Sequence, residues 1–130
     1  MSENKILLDT SALVEYIDRT TKGEEVRKDI EDENTTILVP SVVIAELTSK
    51  LKRKKINLDI IERLIAGAHI LPLDEVIAKN AGTLHAELKI KIENISLADC
   101  VIMTHAENED AKIISTDHHF KNYKNTKIIE

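Results

Sequence analysis

The sequence predicts an α/β protein, a three-layer α/β/α sandwich whose central, mainly parallel sheet contains about five short strands. Short apolar runs, too brief for helices, alternate along the chain with segments that carry apolar residues at helical spacing. That alternation is typical of a parallel sheet covered by helices on both faces. The length of 130 residues suits one domain, so we expect residues 1–130 to form a single domain.

The first part of the chain is predicted to hold two of the strands. Residues 5–8 form the first strand, and Thr10 or Ser11 is expected to cap the helix that follows. A second helix is predicted over residues 23–32. Residues 36–39 are rich in β-branched side chains, which favour a strand, and Pro40 stops that run.

The middle of the chain is predicted to form two helices and one strand. Ser41 is expected to cap a long helix that ends in a basic run at residues 50–55. A further helix is predicted at residues 58–65, followed by a strand at residues 69–73. Pro72 favours the edge of the sheet for that strand, because proline has no N–H to donate to a neighbouring strand.

The last part of the chain is predicted to add two helices and two strands. Asp74 is expected to cap the first helix, and Ser96 the second. In the second helix, three residues are expected to face inward, namely Leu97, Val101 and Ile102. The strands are predicted at residues 112–115 and 126–129.

The composition restricts the possible functions. A formal net charge of −5 argues against binding nucleic acid through bulk positive charge, so any such contact must be local. The single cysteine, Cys100, excludes an internal disulfide and a cysteine-rich zinc site. The N-terminal residues lack the pattern of a signal peptide, and the apolar runs are too short to span a bilayer. We therefore expect a cytoplasmic protein with no membrane contact.

Four acidic residues lie beside predicted strand ends or helix starts, and they are Asp9, Glu46, Asp99 and Asp117. Three of them have ordinary structural explanations, since Asp9 suits a helix cap, Asp99 a capping box and Asp117 a turn. Glu46 lies in the middle of a helix, where an exposed flank could hold it. Carboxylates gathered in one crevice would repel one another unless a cation joined them, and Mg²⁺ prefers such oxygen ligands. The set therefore predicts a magnesium site.

Four short motifs carry a resemblance to a known family. They are DTSAL at residues 9–13, VIAEL at 43–47, SLADC at 96–100 and STDHHF at 115–120. In this order they resemble a PIN-domain ribonuclease, and they are most similar to the small VapC-type toxins of prokaryotic type II toxin-antitoxin systems. The resemblance covers the whole chain and implies a PIN-like fold for residues 1–130.

The resemblance also implies a mechanism, in which the four acids hold one or two Mg²⁺ or Mn²⁺ ions that activate water for in-line attack on an RNA phosphodiester. Asp9 and Asp99 match the direct metal ligands best, with Asp117 next, while Glu46 acts through water or as a proton acceptor. Ser11 and the polar pair Ser115 and Thr116 match supporting positions, although the family often has threonine where Ser115 stands. The family further implies an RNA substrate, a small cognate antitoxin and a homodimer.

The basic run and two histidines are further candidates for a role in the site, and each also has a simpler structural explanation. The basic run could contact RNA through Lys50, Lys52, Arg53 and Lys54, or it could be a solvated helix end whose cations suit the helix dipole. His118 and His119 are expected to be bystanders in a surface turn, because magnesium chemistry of this kind needs no imidazole.

Four functions other than that of a toxin can be compared with the sequence. A receiver domain and a haloacid-dehalogenase-like phosphatase fit poorly, because Asp9 has no acidic neighbour and Ser11 stands where the phosphatase needs a second aspartate. A PIN-domain nuclease of housekeeping RNA processing remains an alternative. So does a catalytically silent PIN-like interaction module, although every acidic position of the motif is occupied.

Overall fold

The computed structural model describes residues 4–130. The strands are β1 (Asn4–Leu8), β2 (Thr35–Pro40), β3 (His69–Leu71), β4 (Lys112–Ser115) and β5 (Thr126–Ile128). The helices are α1 (Thr10–Ile17), α2 (Thr21–Ile30), α3 (Ser41–Arg53), α4 (Asp59–Ala66), α5 (Glu75–Leu88) and α6 (Leu97–Glu109), with a 3₁₀ helix, η1 (His118–Asn122). All neighbouring strands are parallel, in the order β3-β2-β1-β4-β5, which confirms the predicted fold class. Within residues 4–130, every helix is too short or too polar to cross a membrane.

Both faces of the sheet are covered. In β1, Ile6, Leu7 and Leu8 are 4%, 0% and 0% exposed. Successive residues of a strand point to opposite faces, so their common burial requires packing on each side of the sheet. In β4, Ile113 and Ile114 are buried in the same way. The core is therefore mainly aliphatic, as the aromatic content of 2% requires, with Phe120 also buried in it.

The order in which strands are added to the sheet reverses between β1 and β4. From β1 the chain passes outward to β2 and β3, and it then returns to place β4 on the other side of β1. Leu8 pairs with Ile114 in the register of these two strands. Ligands of open α/β sheets bind at such a reversal, beyond the carboxyl ends of the strands. Asp9 and Asp117 both lie just beyond these strand ends.

Two predicted helix caps are wrong. Asp9, rather than Thr10 or Ser11, is the N-cap of α1, and its side chain accepts a hydrogen bond from the N–H of Ala12. The helix therefore begins one residue earlier than an internal hydroxyl cap would require. Before α3 the N-cap position is occupied by Pro40, with no side-chain hydrogen bond, because Ser41 already belongs to the helix.

Three other details differ from the predictions. Helix α2 begins at Thr21 rather than near residue 23, because the Thr20 side chain caps it by accepting a hydrogen bond from the N–H of Gly23. Leu97 is 54% exposed instead of facing inward, since burial along α6 begins only at Cys100. Strand β3 lies at the edge of the sheet as predicted but ends at Leu71, so Pro72 follows the strand.

Candidate active site

The four predicted acids line one cavity of about 530 Å³. Asp9 follows β1, Glu46 lies on α3, Asp99 lies in the first turn of α6, and Asp117 follows β4. The other lining residues are Thr10, Ser11, Ala45, Ser49, Lys50, Arg53 and Ile102. Residues that are far apart in the sequence thus bring their carboxylates to the reversal point of the sheet.

Asp9 is the most buried of these acids, with 4% of its surface exposed. Its Oδ1 accepts hydrogen bonds from the Ala12 N–H at 3.0 Å and from the Ser11 Oγ at 2.7 Å. Its Oδ2 accepts one from the Ser115 Oγ at 2.8 Å. A carboxylate oxygen has two lone pairs, so Oδ2 retains one that these side chains do not use.

Two serine hydroxyls fix the position of Asp9. Ser11 Oγ accepts a hydrogen bond from the Thr116 N–H at 3.1 Å, and Ser115 Oγ accepts one from the Asp117 N–H at 2.8 Å. Each hydroxyl has one proton, which it donates to Asp9. Thr116 enters this network through its backbone N–H. The predicted supporting residues therefore join the loop after β4 to the end of β1.

The surroundings of Asp9 change its acidity. Burial raises the pKa of Asp9 from 3.8 to about 6, against the hydrogen bonds from Ala12, Ser11 and Ser115, which lower it. The negative charge of Asp117 adds a small further rise in the pKa. A bound cation would favour the ionised form of such a carboxyl group.

Asp99 and Asp117 have structural partners of their own. Asp99 forms a capping box with Ser96, whose N–H donates to Asp99 Oδ2 at 3.1 Å. Asp117 caps the 3₁₀ helix η1, and its Oδ1 accepts the N–H of His119 at 2.9 Å. The structural roles predicted for these acids are confirmed, and they coexist with the placement of both side chains in the cavity.

Glu46 reaches the cavity from the opposite side, on α3. It is exposed, and its Oε1 accepts a hydrogen bond from Thr10 Oγ1 at 2.8 Å. This contact joins α1 to α3 beside Asp9. Since its other oxygen, Oε2, has no hydrogen bond to the described residues, Glu46 can accept a proton from a group bound in the cavity.

The basic run divides into two groups. Lys50 and Arg53 line the cavity, at helical spacing from Glu46 on the same helix. Lys52 and Lys54 are not among the lining residues, and the Lys54 Nζ lies 3.6 Å from Asp18 Oδ2. Within the basic run, Lys50 and Arg53 are therefore the residues positioned to meet an anion that approaches the acids.

His119 also belongs to this site, although the sequence interpretation left it out. Its Nδ1 lies 3.4 Å from Asp99 Oδ2 and 3.4 Å from Asp117 Oδ1. One ligand atom from each of these three residues lies within 4.8 Å of the others, a spacing that suits a metal ion. The signal in the sequence was the position of His119 two residues after Asp117, within one turn.

The donor set fits a divalent cation. The cavity is lined by carboxylates from four residues, and such oxygens are the ligands that Mg²⁺ and Mn²⁺ take in proteins. Asp99 and Asp117 lie at the separation of ligands of one ion, while Asp9 and Glu46 line the cavity outside that group. Among the described residues, the buried Nδ1 of His119 has no hydrogen-bond partner, as expected of an atom reserved for a ligand.

The chain is thus a parallel α/β protein with an acidic cavity at the point where the strand order reverses, and this cavity is a candidate metal site. Residues 6–125 match the family model of the PIN domain, and the chain belongs to that family. No curated protein matches the sequence.

Solved structures with the same fold come from bacterial toxin-antitoxin systems. VapBC2 from Rickettsia felis, bound to a DNA fragment from its promoter, has a TM-score of 0.74 at 23% identity over 97% of both chains. A toxin-antitoxin complex from Klebsiella pneumoniae has a TM-score of 0.78 at 16% identity, over 96% of this chain and 98% of the other. The sarcin-ricin loop cleaving toxin VapC20 from Mycobacterium tuberculosis has a TM-score of 0.72 at 12% identity, over 90% and 93%.

Proposed function

We propose that this chain is a metal-dependent endoribonuclease that hydrolyses RNA phosphodiester bonds and acts as the toxin of a toxin-antitoxin pair. The observation that carries the proposal is the convergence of Asp9, Glu46, Asp99 and Asp117 on one cavity. Membership of the PIN family supports the nuclease activity. The likeness to toxins solved with their antitoxins, and to one described as cleaving the sarcin-ricin loop, supports the biological role.

The acidic side chains have different proposed roles, which follow from their positions in the cavity. Asp9, Asp99 and Asp117 would hold a Mg²⁺ or Mn²⁺ ion, and Asp9 is held most firmly because three donors fix its carboxylate. When bound, the ion would lower the pKa of a water molecule and stabilise the charge on the phosphoryl group. Glu46, exposed at the side of the cavity, is placed to accept the proton that the attacking water loses.

The cations on α3 supply the local positive charge that the acidic chain otherwise lacks. Lys50 and Arg53 lie at the cavity and would bind the RNA backbone on either side of the scissile phosphate. The chain as a whole carries a formal charge of −5, which repels RNA. Binding should therefore be confined to this side of the molecule and should weaken steeply with salt.

The proposed partners are a small antitoxin and a second copy of the chain. The antitoxin would place a segment in the acidic cavity and so exclude RNA from the carboxylates. Toxin-antitoxin complexes among the structural neighbours support such a partner. Co-expression with a small protein encoded beside it, followed by light scattering of the purified material, tests the complex and the homodimer together.

The nuclease activity is tested by incubating structured RNAs with the purified chain and Mg²⁺. We expect internal cleavage that leaves 5′-phosphate ends. Cleavage should stop in EDTA, and Asp9→Asn or Asp99→Asn should each lower its rate by about 100-fold or more. Asp110→Asn is a matched control, because Asp110 is exposed and its positive φ of 53° suits asparagine equally well. Cleavage that continues in EDTA, or that keeps the wild-type rate in both active-site variants, would contradict the proposal.

The toxin role has its own test, which is expression of the chain in a bacterial host. Growth should stop with wild-type protein, continue with Asp99→Asn, and recover when the neighbouring small protein is co-expressed. Unimpaired growth with an active nuclease would instead favour a PIN-domain enzyme of housekeeping RNA processing. Absence of both activities would favour a catalytically silent interaction module.

A further inference from the structure

One ring nitrogen of His119 has no conventional partner. Nδ1 is buried and makes no hydrogen bond to the described residues, although the ring as a whole is one-third exposed. A buried polar atom without a partner is unfavourable and requires an explanation. The neighbouring His118 offers a contrast, because its ring is 57% exposed and its Nε2 lies 3.4 Å from Glu130 at the surface.

The atoms around this nitrogen are arranged as ligands of a shared ion. Asp99 Oδ2 and Asp117 Oδ1 each lie 3.4 Å from Nδ1, and neither accepts a hydrogen bond from it. Adjacent ligands of an octahedral ion with bonds of about 2.1 Å are separated by roughly 3 Å, each lying off the bond axis of the other. The three atoms make no hydrogen bond with one another and lie within 4.8 Å of each other, a separation that a common ion can bridge.

The local backbone keeps the ring in place. His119 lies in η1, and its N–H donates to Asp117 Oδ1 at 2.9 Å. Phe120, the next residue, is buried at 1% exposure and anchors the turn in the core. The imidazole therefore faces Asp99 and Asp117 without the need for a conformational change.

We propose that Nδ1 of His119 is a direct ligand of the divalent cation held by Asp99 and Asp117. This inference rests on the proposed function, whose metal site it extends with a nitrogen donor. Imidazole suits transition metals, whereas Mg²⁺ prefers a shell made wholly of oxygen. The nitrogen ligand therefore biases the site toward Mn²⁺ over Mg²⁺.

The test uses Mn²⁺ as the probe and electron spin-echo spectroscopy of the full chain as the readout. A histidine ligand gives a ¹⁴N coupling to the Mn²⁺ electron spin, which changes in a predictable way when the histidines carry ¹⁵N. We expect the coupling in wild-type protein and in His118→Gln, and its loss in His119→Gln. The Kd for Mn²⁺ should rise about tenfold in His119→Gln, with a smaller change for Mg²⁺.

The outcomes separate this inference from the proposed function. Mn²⁺ that binds, is lost with Asp99→Asn and shows no nitrogen coupling would overturn the histidine ligand and leave the acidic metal site standing. A coupling that persists in His119→Gln would also overturn it. If wild-type protein bound no Mn²⁺, both the ligand and the metal-dependent function would be wrong. A wild-type spectrum without nitrogen coupling overturns the histidine ligand even if a variant fails to fold.

Discussion

Ser115 Oγ donates a hydrogen bond of 2.8 Å to Oδ2 of Asp9, a residue 106 positions earlier in the chain. Ser115 is fully buried and lies at the end of β4, while Asp9 directly follows β1. The same hydroxyl accepts the N–H of Asp117 at 2.8 Å. One side chain therefore fixes the positions of two of the acids relative to each other.

Replacing Ser115 with alanine should weaken both the fold and the activity. The substitution leaves the buried Asp9 carboxylate with one donor fewer and the Asp117 N–H without its acceptor, a loss of about 1–3 kcal/mol in the free energy of unfolding. We expect RNA cleavage to fall by at least about tenfold, because Asp9 and Asp117 lose their fixed separation. Urea denaturation and initial cleavage rates check the two effects.

The matched control is Thr83→Ala on α5, whose exposed hydroxyl donates a hydrogen bond to the Lys79 carbonyl of its own helix. Its stability and cleavage rate should stay close to those of the wild type. Equal behaviour of the Ser115 and Thr83 variants would show that the buried hydroxyl does not organise the site.

The fold could be predicted because its signals are local. Buried parallel strands require continuous apolar runs, and residues 6–8 and 113–114 provide them with no polar interruption. Asp9 directly after such a run, and Asp99 three residues after Ser96, mark strand ends and helix starts by position alone. The meeting of four acids in one cavity followed from the topology that these elements imply.

The features that the sequence did not predict are set by the directions in which side chains point and by the exact start of a helix. Lys50 and Arg53 face the cavity while Lys52 does not, a distinction set by the rotation of α3 about its axis. The inward position of His119 depends on the 3₁₀ turn that Asp117 caps, and short turns carry little hydrophobic periodicity. Whether Asp9 or the next hydroxyl caps α1 depends on where the first helical turn closes.

Asp9→Asn should stabilise the metal-free protein at neutral pH. The pKa of Asp9 is raised from 3.8 to about 6, so the folded state holds the proton more tightly than the unfolded state. The free energy of unfolding therefore falls as pH rises from 3.8 to about 6, and the full loss is present above that range. The difference between these two pKa values corresponds to about 3 kcal/mol, which is an upper bound on the gain in the free energy of unfolding. The asparagine oxygen can accept from Ala12 and Ser11, while the Ser115 hydroxyl turns to accept from the amide.

Denaturant unfolding in EDTA at about pH 7.5 and about pH 4 measures this effect. The variant should be the more stable protein at the higher pH, and the difference should shrink or reverse at the lower pH. Mg²⁺ should raise the stability of wild-type protein at the higher pH and have little effect on the variant. A variant that is less stable at both pH values would show that burial of the ionised Asp9 carboxylate does not destabilise the fold.

Lys50→Ala and Arg53→Ala should weaken RNA binding, whereas Lys52→Ala should not. Each lost phosphate contact should reduce the slope of log K against log salt by about 0.7 for single-stranded RNA. The measurements use the Asp99→Asn background, so that the RNA stays intact. Equal losses in all three variants would show that the basic end of α3 acts as a diffuse charge rather than through the residues at the cavity.

His105 should make the fold sensitive to acid. It is 3% exposed, and its Nε2 has no hydrogen-bond partner among residues 4–130. Burial lowers the pKa of His105 below 6.5, against the charges of Asp74 and Glu109, which raise it. The neutral ring thus gives stability that is present above pH 6.5 and is lost as pH falls toward the lowered pKa.

His105→Leu should remove that part of the pH dependence and remain folded in acid where the wild type loses stability. The exposed His69 supplies the control, since His69→Gln should keep the wild-type profile. Free energies of unfolding measured across the acid range test this comparison. Parallel profiles for the wild type and His105→Leu would contradict it.

The central claim, that four acids act as one metal-dependent site, is tested most directly by the initial rate of RNA cleavage in Mg²⁺ for combined substitutions. Groups that act as a unit give strongly non-additive losses. We predict that Asp9→Asn and Asp99→Asn each lower the rate by about 100-fold or more, as removal of key electrostatic groups does. The double variant should then be no slower than the slower single one. Losses that multiply in the double variant, or a wild-type rate that is unchanged in EDTA, would contradict the account.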